Sequence, residues 1–323
     1  MSSSAHVLVA FAACESPASR QALAGLRLPH LTRLLSRLSP QALDAGQAHD
    51  LSLPHERVLA RALGLWAGDG RVPWAAWDLR QQGGDPGAQA WAWLTPCHWQ
   101  VGRDRVVMAQ PAALQLSEAD SRALLAAMTP FFEEDGLALE WIAPLCWRAR
   151  GAVFQDLACA SLDRAAGATV DDWLPRANEA RTVRRLQQEM QMLLYTHPVN
   201  EEREARGLAP VNSFWVGGAG ALPTGLPADL PVPTAAPHID NRLREPALAQ
   251  DWPAWAVAWQ QLDVQVLAPM AQACDRGEPV HLTLCGEKSA RTWAAPALPT
   301  AWHRRLLRAL RPAPAMSQAL DPL

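Results

Sequence analysis

Four short runs hold residue types that could do chemistry. His55-Glu56 sets an imidazole beside a carboxylate, and His238-Ile239-Asp240 sets two donors of the kind that bind divalent ions two positions apart. Gly286-Glu287-Lys288 offers one carboxylate at most, and Gly217-Gly218-Ala219-Gly220 is a glycine run of the kind that can bring backbone N–H groups close to an anion. Each has a plainer reading. A His-Glu pair in a first helical turn is commonly a surface pair, and an isolated HxD in a loop is more often a local hydrogen-bonded turn than a metal site. The glycine run lacks the following helix that would aim amides and a dipole at a phosphate.

Charge and composition narrow the partners. With 29 basic and 32 acidic residues, the 323-residue chain carries a formal charge of -3, without the basic surplus that a nucleic-acid groove needs. Lys288 is the only lysine, so nearly all the basic residues are arginine. This reads as genomic composition bias, and the abundance of guanidinium groups is no evidence of phosphate recognition by itself. Six cysteines, at 14, 97, 146, 159, 274 and 285, form no CxxC and no regular spacing, which points to buried reduced thiols rather than a zinc knuckle or disulfide framework. The apolar stretch Val7 to Cys14 is too short to span a bilayer and no basic segment precedes it, so a cytoplasmic chain without membrane contact is expected. Fifteen tryptophans stand against one tyrosine. Trp255 and Trp259 lie one helical turn apart and Trp66, Trp74 and Trp77 cluster, as core, cap interface or ligand platform.

The elements that would position these residues can be read from periodicity and punctuation. His6 to Phe11 is a buried first strand, followed by helices around Ala18 to Leu26 and Leu31 to Leu38. Ser52-Leu53-Pro54 opens a firmer helix ending near Leu63. Gly70 to Gly87 reads as a crossing into a second, α+β unit, with strands at Ala90 to Leu94 and Arg105 to Met108 joined through Gly102-Arg103-Asp104, then a helix opened by Ser117. A long helix from about Ala177 to Tyr195 ends at Pro198 and Asn200, and Val211 to Val216 is a strand running into the glycine loop. Ala221 to Pro237 reads as loop, Trp252 to Cys274 as a helix, Pro279 to Cys285 as the last clear strand, and Thr300 to Leu310 as a final amphipathic helix.

The stretch Thr196 to Gly220, THPVNEEREARGLAPVNSFWVGGAG, resembles the signature of the archaeal-type cofactor-independent phosphoglycerate mutases: a His-Pro-Val-Asn run, an arginine, a Pro-Ala-Asn, and a tryptophan strand leading to a glycine loop. The order of surrounding segments agrees, including Ala62-Leu63-Gly64 and Asp69-Gly70-Arg71. The resemblance implies an α/β protein with an alkaline phosphatase-like core, a sheet flanked by helices, and an inserted smaller α+β cap. Residues 1–68 and 186–323 would form the core and 69–185 the cap. The chain also resembles a degenerate bacterial offshoot of that family, the RpfE-type regulatory proteins.

That family moves a phosphoryl group through a serine with two divalent ions, which calls for hard Asp and neutral His ligands in several loops. Here the first strand runs into Ala12-Ala13-Cys14-Glu15 without the family's aspartate, and His55 with Glu56 falls where the nucleophilic serine is expected. Glu287 and Lys288 replace an Asp-His pair, an Arg-x-Asn element of the cap becomes Pro96-Cys97-His98, and only His238 and Asp240 remain as metal candidates. What survives is a phosphate-friendly periphery: Arg71, His197, Asn200, Arg203, Asn212, Gly217, Gly218 and Gly220. It can be read as a retained pocket for a small anionic or phosphorylated ligand, or as side chains that fix turns and pair backbone groups. The expectation is a metal-free, non-catalytic pseudoenzyme, without cofactor, that binds such a ligand or a protein partner in a regulatory role. The alternatives are a phosphoglycerate mutase or phosphomonoesterase with Mn or Zn on rearranged ligands, and a tryptophan-rich interaction module.

Overall fold

The computed structural model describes residues 5–226, 236–295, 319–321 and 323. The expected helix at Thr300 to Leu310 lies outside them. The chain divides into two compact units, Met1–Gly64 with Asp229–Leu323, and Leu65–Ala228. The expected insertion closed at 185, inside a helix; the unit runs on to Ala228, and carries the whole signature stretch with it.

The first unit begins with β1 (Ala5–Val9), α1 (Pro17–Gly25), α2 (Pro29–Arg37), β2 (Ser39–Asp44) and α3 (Pro54–Ala62). The apolar run of β1 forms a strand buried on both faces, with Leu8 and Val9 fully buried. Three of these elements start on a proline in the first helical turn, where its missing N–H costs nothing.

The second unit holds α4 (Trp74–Gln81), β3 (Trp91–Cys97), β4 (Trp99–Val101), β5 (Val106–Met108), α5 (Glu118–Glu134), β6 (Ala138–Ala143) and β7 (Cys146–Arg150). It continues with two single-turn helices, α6 (Leu162–Ala165) and α7 (Val170–Trp173), then α8 (Arg181–Tyr195), α9 (Pro198–Ala205) and β8 (Ser213–Gly220). Its main sheet is antiparallel in the order β6-β7-β3-β8, and α5 and α8 bury Met128, Phe132, Leu186 and Met190 in a common core with it. Three expectations change here. The turn at Gly102-Arg103-Asp104 joins β4 to β5, a separate two-stranded ribbon, and β3 pairs instead with β7 and β8. The segment at Pro198 and Asn200 ends no helix; it begins α9, with His197 as N-cap and Pro198 in the first turn. The glycine loop is strand, the second half of β8, pairing with β3 up to Trp91↔Gly220 across a bulge.

The chain then returns to the first unit with β9 (His238–Asp240), α10 (Arg244–Leu248), α11 (Trp252–Leu262), α12 (Ala268–Asp275), β10 (Val280–Cys285) and β11 (Ala290–Ala294). The sheet runs β2-β11-β10-β1-β9, with β1 parallel to both β10 and β9 and β11 antiparallel to its neighbours. His238-Ile239-Asp240 is thus an edge strand rather than a loop. The long helix expected at Trp252 to Cys274 is broken between α11 and α12 by one π turn, Asp263–Leu267. There buried Asp263 accepts N–H bonds from His30 (3.2 Å) and Leu31 (2.8 Å), capping α2 from outside. The core joins Leu31 and Leu34 to Trp255, Trp259, Leu282 and Leu284. None of the described tryptophans is exposed, and Trp147, Trp215, Trp255 and Trp259 are fully buried, so the described residues present no exposed tryptophan platform.

Candidate functional site

In open α/β sheets, ligands bind beyond the carboxyl ends of the parallel strands. In the first unit that edge is formed by the residues after β1, the residues after β9 and the turn from β10 to β11. Phe11, leaving β1, has φ of 56° and packs its ring on His55 at 5.5 Å, tilted by 47°. His55 is a buried residue of the first turn of α3, not a surface one. Glu56 accepts the N–H of Leu53 at 2.9 Å, so its carboxylate caps α3. Buried Arg57 fastens α3 to the β10–β11 turn, donating to Lys288 O at 2.8 Å and Ser52 O at 3.1 Å.

Cys14 lies in the Ala12-Ala13-Cys14-Glu15 run after β1, the loop in which the sequence resemblance leads one to expect an aspartate. Burial pushes its thiol well above the usual range, and the charge of Glu287 and a hydrogen bond to it add to the effect. A thiol held neutral is neither nucleophile nor hard-metal ligand. Beside it Lys288 Nζ lies 2.6 Å from Glu15 Oε1. The backbone of the turn is covered as well: Leu323 O accepts the N–H groups of Lys288 (3.1 Å) and Ser289 (2.8 Å), and Leu323 fills the space a Cβ on Gly286 would need. Leu320 and Leu323 are both buried. On β9, Asp240 is buried and held by Arg242, whose N–H donates to Oδ1 at 3.1 Å and whose Nε lies 3.4 Å from Oδ2. His238, at the other end of that short strand, is exposed. Among the described residues no group of three or more His, Cys, Asp or Glu is placed to hold a metal ion. The described residues at this edge therefore do not fit a two-metal centre.

The eight remaining candidates all fall in the second unit. His197 Nδ1 accepts the N–H of Val199 at 3.3 Å as the cap of α9. Buried Asn200 spends its whole amide on backbone, donating to Leu194 O (2.8 Å) and Val211 O (2.7 Å) and accepting from Val211 N–H (2.9 Å). Arg203 is fully buried and donates to Ala209 O (Nε 3.1 Å, Nη2 2.9 Å) and Leu114 O, with Asp120 3.4 Å away. Burial lowers its pKa while the Asp120 carboxylate opposes the shift. Asn212 bridges both backbone groups of Trp99, accepting its N–H at 2.7 Å and donating to its C=O at 2.9 Å. Gly218 (φ 61°) and Gly220 (φ 141°) let β8 pass close to Trp93, Trp74 and Pro73, and Gly217 meets nothing. Arg71 is exposed. The structure thus gathers Asn200 and Asn212 around one groove and locks His197 and Arg203 into backbone roles.

That groove, with a volume of about 780 Å³, is the feature sequence reasoning missed. Its walls come from the β4–β5 ribbon, α7, and the junction of α8 with α9, with Pro210 and Asn212 ahead of β8. Trp99, Val101, Val106, Leu174 and Tyr195 give it an apolar lining, and Asp171, Glu201 and Glu204 its only charges. The sequence signal for it is the acidic α9, with Glu201 and Glu204 one turn apart, beside the single tyrosine, Tyr195.

No family model matches the chain. Over 72 residues the chain resembles a phosphoglycerate mutase. The match is 33% identical to the 2,3-bisphosphoglycerate-independent phosphoglycerate mutase of Methanothrix thermoacetophila, and spans 22% of this chain and 18% of that protein. A relation to phosphoglycerate mutase is supported on that stretch. Among solved structures, the cofactor-independent phosphoglycerate mutase from Thermoplasma acidophilum aligns over 93% of this chain and 92% of its own, at a TM-score of 0.37 and 14% identity. The PH0037 protein from Pyrococcus horikoshii aligns over 90% and 87%, at a TM-score of 0.42 and 12% identity. Among the described residues no helix is long and apolar enough to cross a membrane.

Proposed function

We propose that this chain is a non-catalytic relative of phosphoglycerate mutase with a ligand-binding or regulatory role in the cytoplasm. The observation that carries the reading is the edge after β1: its run Ala12-Ala13-Cys14 is buried and holds no carboxylate, and among the described residues no three His, Cys, Asp or Glu side chains converge to hold a metal ion. The engagement of Glu56 as a cap and of Asp240 with Arg242 supports it further, since each carboxylate already has a structural task. A test follows from the reaction class. Incubated with 3-phosphoglycerate and excess Mn²⁺, the protein is expected to form neither 2-phosphoglycerate nor free phosphate above the buffer rate. Turnover that disappears in His55→Ala would establish the opposite reading, an enzyme with His55, His238, Asp240 and Glu287 as rearranged site residues.

A further inference from the structure

We propose that the groove of the second unit binds a basic polypeptide segment whose arginine or lysine side chains alternate with apolar ones. The proposal is independent of whether the first unit catalyses anything. Its first support is size, since about 780 Å³ lies within the range that holds several side chains or one sizeable ligand. Its second is the lining. Val101 and Tyr195 are 79% and 84% exposed, unusual for large apolar or aromatic groups, and they stand at the groove with Trp99, Val106 and Leu174. Burying such side chains contributes on the order of 25 cal/mol per Å² of apolar surface, so this wall favours an apolar partner.

Charge then selects which apolar partner. The lining carries Asp171, Glu201 and Glu204 and no arginine or lysine, in a chain where arginine is abundant. An anion placed there would meet three like charges, and the amides of Asn200 and Asn212 that could have offset them are bonded to backbone. The carboxylates do not converge on a point that would hold a metal ion. Glu201 and Glu204 are three residues apart on α9 and so share a face, whereas Asp171 belongs to α7. A single metal ion therefore does not gather all three carboxylates. A chain with basic groups spaced between apolar side chains can reach both while covering Val101, and the Tyr195 ring offers a face for a guanidinium.

The test uses the full-length protein and a fluorescein-labelled Arg-Leu-Arg-Leu-Arg-Leu peptide, followed by anisotropy, with the Glu-Leu counterpart as control. The basic peptide should bind saturably and weaken as salt rises. The double variant Glu201→Gln/Glu204→Gln should lose about tenfold in affinity, and Val101→Ser should also weaken binding; neither should change the thermal melt, because all three side chains line an open groove. Equal binding of the acidic peptide, no saturable binding of the basic one, or unchanged affinity in both variants would overturn the proposal. Competition by spermidine at comparable concentration would overturn the polypeptide as occupant and assign the groove to a small polycation.

Discussion

Asn200 shows how a residue type that suits a phosphate can be fully committed elsewhere. Its amide closes three hydrogen bonds that tie the end of α8 to the start of β8, and all three partners are buried main-chain groups. Replacing it with alanine strands two carbonyls and one N–H without water, so Asn200→Ala should cost about 3 kcal/mol or more in urea denaturation. Were it a ligand residue instead, the substitution would leave stability nearly untouched. The same reasoning covers Arg203, whose partners are the carbonyls of Leu114 and Ala209. Backbone pairing was one of the two readings the sequence offered for Asn200 and Asn212, but which groups they pair was not legible. Asn200, Arg203 and Asn212 serve backbone atoms of Leu194, Val211, Ala209 and Trp99, which leave no mark in side-chain identity.

At the scale of elements, the strongest apolar and capping patterns were legible. β1, α3 and β10 form within a residue or two of their expected bounds and α5 starts at its expected cap, because a buried strand, a proline in the first turn and a Ser117 cap each declare themselves locally. The Gly217 to Gly220 run misled for a physical reason. Glycine is weak in strands on propensity, yet here it lets an edge strand pass close to tryptophans. An added Cβ at Gly218 would lie 2.9 Å from Trp93 Cε3 and 3.0 Å from Trp74 Cβ, on a backbone with φ of 61°. Gly218→Ala should therefore destabilise by about 2 kcal/mol or more. Gly217→Ala, where nothing lies within 4 Å, should stay within about 0.5 kcal/mol of the parent. Equal losses for the two in chemical denaturation would contradict the close approach. α4 went unread because it sits among Gly, Pro and Asp residues, and β2, β6, β7 and β11 because their polar and apolar residues follow register with neighbours distant in sequence.

For the whole molecule, four buried thiols set a boundary on the alkaline side. Burial pushes Cys14, Cys97 and Cys285 far above the ordinary thiol range and Cys159 up to about 12. A group whose folded pKa is raised stabilises fully below its unfolded value and loses that contribution as pH climbs through the interval. Stability should accordingly be flat from neutral pH to about 8.5 and then fall steeply, by roughly 1.4 kcal/mol per pH unit for each thiol that the unfolded chain ionises. Cys159→Ala should make the fall shallower, as read from urea midpoints across that range. The spacing of the cysteines had already pointed to buried reduced thiols. The division of the chain near Gly64 was close to legible from the glycine-rich crossing, whereas its far boundary followed from β8 pairing with β3, which no local pattern announces.

The proposal of a non-catalytic protein stands or falls with the carboxyl edge of the first sheet, whose described residues are proposed to hold no divalent metal ion. The most direct measurement is the metal content of protein expressed with Mn²⁺ and Zn²⁺ in the medium, purified without chelator and analysed by mass spectrometry. The account predicts only traces far below one ion per chain. One or two tightly held equivalents of manganese or zinc, lost from His55→Ala or Asp240→Asn protein, would contradict it.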